Sequence, residues 1–238
     1  MNPPTAAIVL IGNEVLSGRT QDKNLAYLGA RLGELGVQVA EARVVQDDET
    51  AIAEAVNALR ARYDYVMTTG GIGPTHDDIT TASIAHAFGV EVVEHPEALR
   101  QMLEYYGEAE LTPPRRKMAG VPYGAALVEN PLSVAPGFRI ENVYVFAGIP
   151  SIMQAMFESI TPELTGGPPL VSESVILTRR ESQIAEALSR IQADFPELTL
   201  GSYPNLSQGR VVTQIVVRGA DASQVAAAAE RVRAELDV

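Results

Sequence analysis

The sequence predicts a three-layer α/β domain on a mostly parallel sheet, followed by a small α+β appendage, and three observations predict it. Short uninterrupted apolar runs such as Ala6–Ile11 read as strands buried on both faces. Segments with apolar residues at helical spacing alternate with them, the pattern of parallel strands joined by crossover helices. Thr165-Gly166-Gly167-Pro168-Pro169 then reads as a boundary, beyond which the order becomes strand, helix, strand, strand, helix. The expected division is therefore 1–167 and 168–238.

The elements follow in order. Ala6–Ile11 ends at Gly12 and is the first strand. In Asn24–Leu35, Leu25, Leu28, Leu32 and Leu35 recur at helical spacing, and Gly36 stands where a left-handed C-terminal cap is usual. Val37–Val45 reads as a strand, Thr50–Arg62 as a helix with Ile52, Val56 and Leu59 on one face, and Tyr65–Thr68 as a strand running into glycines. Ile79–Phe88 and Pro96–Tyr106 read as helices. Five prolines break residues 107–142 into what reads as an irregular excursion of the kind that carries binding residues. Val143–Ala147 is the next strand, and a helix covers Ile152–Ile160. In the appendage the strands are Val171–Leu177, Leu198–Tyr203 and Val211–Arg218, with helices at Glu181–Ala193 and about Asp221–Leu236. That order suits a KH-like or ferredoxin-like unit.

Composition narrows the chemistry. With no cysteine, the chain has no disulfide, thiolate metal site or cysteine nucleophile. A net charge of −12 argues against a broad nucleic-acid surface, which needs Lys and Arg to replace phosphate counterions. No apolar run approaches the roughly 18 residues of a membrane span, and the N-terminus lacks the basic start of a secretory signal, so a cytoplasmic location is expected. An acidic protein that binds an anion must rely on backbone N–H groups, helix N-termini, a few placed cations or a metal.

The sharpest local pattern is Thr69-Gly70-Gly71-Ile72-Gly73-Pro74-Thr75-His76-Asp77-Asp78. A strand delivers the chain to glycines that let backbone amides approach a phosphate, and a helix begins just beyond. The same composition also describes a tight turn with capping aspartates. Asp77 and Asp78 beside a phosphate would repel it unless a divalent cation such as Mg²⁺ intervened. Asp47-Asp48 follow the second strand, at the sheet edge where ligands collect, and either can equally cap the next helix. Gly12-Asn13-Glu14-Val15-Leu16-Ser17-Gly18 and Gly148-Ile149-Pro150-Ser151 leave two other strands at the same edge. The basic cluster Arg115-Arg116-Lys117 offers phosphate ligands or a solvated surface run, and Tyr105-Tyr106 reads as helix packing. Asn130-Pro131 and Ala135-Pro136-Gly137-Phe138 read as loop punctuation first and contacts second.

As an ordered set these motifs resemble the molybdopterin-binding domain of molybdenum-cofactor biosynthesis proteins, and most closely its version in CinA-type proteins. Gly12–Gly18 with Asp22 and Asn24 resembles the opening motif, and Thr69–Thr75 with Asp77-Asp78-Ile79-Thr80 the central one. The resemblance implies a nucleotide or pterin phosphate as ligand, with Asp78 and Asp47 as catalytic and metal-binding residues and Asp77 assisting. Gly12, Asn13, Glu14, Ser17, Thr69, Gly70, Gly71, Ile72, Gly73, Thr75, Lys117, Asn130, Gly148, Pro150 and Ser151 would form the binding set. It further implies a homo-oligomer and a KH-like tail. CinA-like proteins can carry a further domain resembling nicotinamide mononucleotide amidohydrolases, for which 238 residues leave no room, so no deamidase activity is expected. Two positions depart from the family pattern. Ala147 stands where proline is common, and Ile152 where glutamate is usual. The expected activity is metal-dependent hydrolysis of a nucleotide pyrophosphate such as ADP-ribose. The alternatives are adenylyl transfer to molybdopterin and a non-catalytic binding module.

Overall fold

A computed structural model describes residues 3–207 and 210–236. The chain divides into two compact units, one of residues up to Gly33 together with Val37–Gly167, the other of residues from Pro168 onward together with Glu34–Gly36.

The first unit is built on β1 (Thr5–Ile11), α1 (Asn13–Leu16), α2 (Asn24–Glu34), β2 (Gln38–Val45), α3 (Glu49–Arg60), β3 (Tyr65–Thr69) and α4 (Thr80–Phe88). It continues through β4 (Val92–Glu94), α5 (Pro96–Tyr106), α6 (Pro113–Lys117), β5 (Gly120–Pro122), β6 (Ala126–Val128), β7 (Gly137–Ile140), β8 (Val143–Phe146) and α7 (Pro150–Ile160). Six strands form one sheet in the order β2-β1-β3-β8-β7-β6. β2, β1, β3 and β8 run parallel, and β7 and β6 close the far edge antiparallel.

Burial explains the composition of each strand. Central β1 is apolar from Ala6 onward because both its faces are covered, and Ala6–Val9 are fully buried. Edge strand β2 instead alternates exposed and half-buried residues. Ala7, Val9 and Ile11 pack with Ile52, Val56 and Leu59 of α3 and Ile84 of α4 on one face. On the other, Phe146 meets Phe157 of α7, and Phe157 meets Tyr27 of α2, both edge to face. Arg31 and Tyr27 of α2 hold Glu158 of α7 at 2.8 and 2.6 Å, tying these two helices together.

Residues 107–142, read as irregular, hold one short helix and three short strands. β6 and β7 extend the main sheet, and β5 pairs with β4. Strands of three or four residues between prolines are too short for alternation to show in the sequence. α7 begins at Pro150, two residues earlier than its apolar spacing suggests, because proline suits the first turn of a helix.

The second unit contains β9 (Val171–Leu177), α8 (Glu181–Asp194), β10 (Thr199–Ser207), β11 (Arg210–Gly219) and α9 (Ala222–Leu236). Its three strands are antiparallel in the order β10-β11-β9. Val175, Leu177, Ile215 and Val217 pack with Ile184 and Ile191 of α8 and with Val225 and Val232 of α9. Gln192 fastens α8 to the start of β10, donating to Leu198 O at 2.8 Å and accepting from Leu200 N at 3.0 Å.

Candidate functional site

The chain passes from β1 to β2 on one side of the sheet and returns to β3 on the other. Such a reversal opens a crevice at the carboxyl ends of the strands. Three loops meet there, after β1, β3 and β8. Asn24, the first residue of α2, is buried among them and donates through Nδ2 to Gly148 O at 2.9 Å and towards Thr69 Oγ1 at 3.4 Å. The space between the loops is a cavity of about 520 Å³, the size of a small-molecule site.

The loop after β3 supplies its polar floor. Gly70 has φ +105°, and a β-carbon there would sit 2.2 Å from Ile11 O. Gly71 has φ +68°, and a β-carbon there would sit 2.2 Å from Thr80 Oγ1. Only glycine fits either position. Gly70 N–H is spent on Phe146 O at 3.1 Å, whereas the N–H groups of Gly71, Ile72 and Gly73 have no hydrogen-bond partner among the described residues. These three residues line the cavity, so the floor presents free backbone donors.

The helix that follows does not add to them, since α4 begins with Thr80 N–H bonded to Gly71 O at 2.9 Å. The helix terminus at the cavity is that of α7, whose Pro150 and Ile152 line it.

Asp78 lines the same cavity, and its Oδ2 accepts Thr75 N–H at 2.8 Å, closing its own turn. The Thr75 hydroxyl is shared between the carboxylates of Asp78 and Asp77. That hydroxyl, backbone N–H donation, and the charges of His76 and Lys117 hold the Asp77 carboxyl below its ordinary pKa. Lys117 spends two donors on the backbone of this turn, bonding Thr75 O and Asp78 O, each at 2.8 Å. It pins the loop from α6 and does not line the cavity.

The other two members of the basic cluster are paired as well. Arg116 bonds Glu94, while Arg115 bonds Glu110 and lies 4.7 Å from the Tyr106 ring centre.

The excursion and the end of α5 form a second part of the wall. Tyr106 and Met118 line it together with Asn130, Ser133 and Ala135. Asn130 is 8% exposed, and every polar atom of its side chain serves its own loop. Nδ2 reaches Ser133 Oγ and Ala135 O at 2.7 and 2.8 Å, and Oδ1 accepts from Leu132 N and Ser133 N at 3.2 and 3.1 Å. The same loop holds Val134 at φ +60°, a left-handed conformation unfavourable for a β-branched residue. Tyr106, read from sequence as helix packing, is also a cavity wall. Only the docking of α5 against the excursion reveals this.

The remaining sequence-derived residues fall into distinct places. Glu14, Gly70–Gly73, Asp78, Asn130, Gly148 and Pro150 line the cavity. Thr69 lines an adjoining recess. Gly12, Asn13, Ser17, Thr75, Asp77 and Ser151 line neither. Asp47 stays outside too, accepting Asn13 N–H at 2.9 Å, so it shapes the β1 loop. Asp48 caps α3 by accepting Ala51 N–H at 2.9 Å. Ile152 places an apolar residue on the cavity lining.

Among the described residues no three His, Cys, Asp or Glu side chains group as metal ligands. Asp78 and Glu14 still fit a Mg²⁺ that arrives on phosphate oxygens and keeps its waters, a mode that needs only one or two protein carboxylates.

Residues 7–166 match the family described as the probable molybdopterin binding domain, and residues 169–238 the FAD synthase middle domain. A protein of Pyrobaculum arsenaticum is 40% identical over 84% of this chain and 79% of its own length. A CinA-like protein of Desulfosudis oleivorans is 36% identical over 82% of this chain and 51% of its own. A crystal structure described as CinA of unknown function from Thermoplasma acidophilum superposes with a TM-score of 0.65 at 35% identity, covering 68% of this chain and 99% of that one. Among the described residues no helix is long and apolar enough to cross a membrane. With two thirds of its length matched to that model and CinA-like relatives on both counts, the chain belongs to the molybdopterin-binding domain family and is CinA-like.

Proposed function

We propose that the cavity binds a nucleotide or pterin phosphate and that the protein hydrolyses a nucleotide pyrophosphate such as ADP-ribose with the help of a divalent metal. The observation that carries this reading is one cavity lined by three unpaired backbone N–H groups, a carboxylate and an aromatic wall. The Gly71–Gly73 amides suit phosphate oxygens, and the Tyr106 and Met118 wall suits a flat ring. Bound there, Mg²⁺ would neutralise the phosphates and lower the pKa of a coordinated water.

The protein's own residues do the rest. The loop amides stabilise charge as it builds on the phosphate oxygens, with little reorganisation because Gly70 and Gly71 are locked by the strand and by Thr80. Asp78 offers its second carboxylate oxygen to the metal or to the attacking water, while Thr75 and Lys117 hold the turn that carries it. Asp77, outside the cavity, orients Thr75. Asp47 acts through the Asn13 backbone.

The test is a hydrolysis screen of ADP-ribose, FAD and related pyrophosphates across divalent metals, with wild type and Asp78→Ala. Saturable, metal-dependent cleavage lost in the variant is the expected result, and no cleavage by the wild type on the whole panel refutes it. A non-catalytic module is the second reading, favoured by Ile152 on the cavity wall. Tight calorimetric binding without turnover would identify it.

A further inference from the structure

β2 is an edge of the six-stranded sheet and pairs with β1 alone among the described residues. Its sequence, Gln38-Val39-Ala40-Glu41-Ala42-Arg43-Val44-Val45, contains neither proline nor lysine, the residues that commonly keep a sheet edge from pairing with another chain. The pairing with β1 slips by one residue at Ala40, between Val39 and Glu41, so the regular stretch is Glu41–Val45.

Two observations fix what that stretch presents. Val45 O accepts Gly12 N–H at 3.1 Å, so the backbone groups of Val45, and by alternation those of Arg43 and Glu41, are turned to β1. The N–H and C=O groups of Ala42 and Val44 are therefore turned away from the sheet, with no strand beyond them among the described residues. Side chains alternate as well. Ala40, Ala42 and Val44 are exposed, whereas Glu41 and Arg43 are half-buried on the side of Arg62 and Tyr63. Glu41 accepts from Arg43, Arg62 and the Tyr63 hydroxyl, and Arg43 spends Nε and Nη2 on Glu41, leaving Nη1 without a partner among the described residues.

This strand complements itself in one antiparallel register. A two-fold axis at Ala42 sets Glu41 opposite Arg43 of the partner subunit, twice over, and Val44 opposite Ala40. The outward N–H and C=O groups of Ala42 then meet those of their symmetry mate across the axis, the hydrogen-bonded pair of an antiparallel ladder. An axis at Glu41 sets two carboxylates against each other, and one at Arg43 two guanidiniums, both destabilising. An axis at Ala40 puts Glu41 opposite Val39, and one at Val44 puts it opposite Asp47. Only the Ala42 register joins opposite charges.

We infer that β2 pairs edge to edge with β2 of a second copy of this chain, about a two-fold axis through Ala42, so that one sheet runs through both subunits. So few paired residues fall short of the roughly 1,200 Å² of a stable interface, so the association is weak and dimer forms only as concentration rises.

Sedimentation equilibrium of the full chain from about 1 µM to about 1 mM tests this. Wild type should pass from monomer to dimer over that range and no further, because a two-fold contact closes on itself. Ala42→Lys changes an exposed side chain, leaves the bonds to β1 in place and sets two lysines together at the axis, so it should weaken dimerisation at least about tenfold. Glu41→Arg and Arg43→Glu should each do the same, since each puts like charges opposite. Mixed in equal amounts, these two variants restore opposite charges at both pairs, and their heterodimer should form within about threefold of wild-type affinity. Ala42→Lys keeps the test decisive if Glu41→Arg fails to fold without its bonds to Arg62 and Tyr63.

Wild type that stays monomeric throughout overturns the inference and leaves the edge open to a strand of another protein. A dimer that Ala42→Lys leaves intact overturns it in favour of another surface. Folded charge variants that mix without associating overturn the register.

Discussion

Two loops line the cavity and handle their polar groups in opposite ways. The loop after β3 leaves the N–H groups of Gly71, Ile72 and Gly73 unpaired. The Asn130 loop spends every polar atom of its central side chain on itself. The first can afford open donors because its geometry is fixed from below by Thr80 Oγ1 on Gly70 O at 2.9 Å and by Gly70 N–H on Phe146 O. The second is held largely from within, with one bond from outside, Tyr106 Oη to Ser133 O at 3.2 Å, and it also holds Val134 at a positive φ. Rigid open donors suit an anion, and a self-bonded wall suits a ring beside it.

The largest expected effect comes from breaking the first loop's fit. Gly70→Ala combines a positive φ with a β-carbon overlapping the Ile11 carbonyl, and should cost about 3 kcal/mol of stability in denaturant unfolding and abolish phosphate binding. A variant with a wild-type unfolding midpoint would show that the strand ends yield freely. Next, Asn130→Ala removes four hydrogen bonds from the second loop. About 2 kcal/mol should be lost, with weaker binding of ring-bearing ligands and little change for inorganic pyrophosphate. Equal weakening of both ligands would mean the two walls are not separate in function.

Lys117→Met sharpens the comparison by asking whether the lysine serves the loop or the ligand. Its bonds run to Thr75 O and Asp78 O, so stability should fall by about 1 kcal/mol while pyrophosphate affinity falls less than about threefold. A tenfold, salt-dependent loss of affinity would make Lys117 a direct phosphate ligand.

The smallest effect concerns the frame behind the loops. The Arg31 guanidinium and then the Tyr27 hydroxyl pull the Glu158 carboxyl from its ordinary 4.5 down to about 2. A depressed folded-state pKa contributes stability that is full above about pH 4.5 and is lost as pH falls towards 2. Glu158→Gln should therefore flatten the decline of the thermal midpoint across that window, and an acid limb as steep as in wild type would assign the decline to other carboxylates.

Much of this was legible in the sequence because it is local. The uninterrupted apolar run of β1, the helical spacing of α3 and the Gly-Gly-Ile-Gly stretch after β3 each express a constraint satisfied within a few residues. The excursion was not legible, since its strands are too short to carry a period. The basic cluster and Asp47 carry bonds that residue type does not disclose. Arg115, Arg116, Lys117 and Asp47 look like ligands by type, yet each is committed to a protein partner. Residue type gives what a group can bond, and only its neighbours give what is left to bond.

The sequence by itself determined the layered α/β unit, the small C-terminal unit and the three loops at one sheet edge, because hydrophobic period and glycine conformation are properties of the chain. Tertiary structure alone decided which donors and acceptors remain open. Contacts between residues far apart in the chain, such as Asn24 on Gly148 and Lys117 on Thr75, consume some polar groups and leave the Gly71–Gly73 amides without a partner among the described residues.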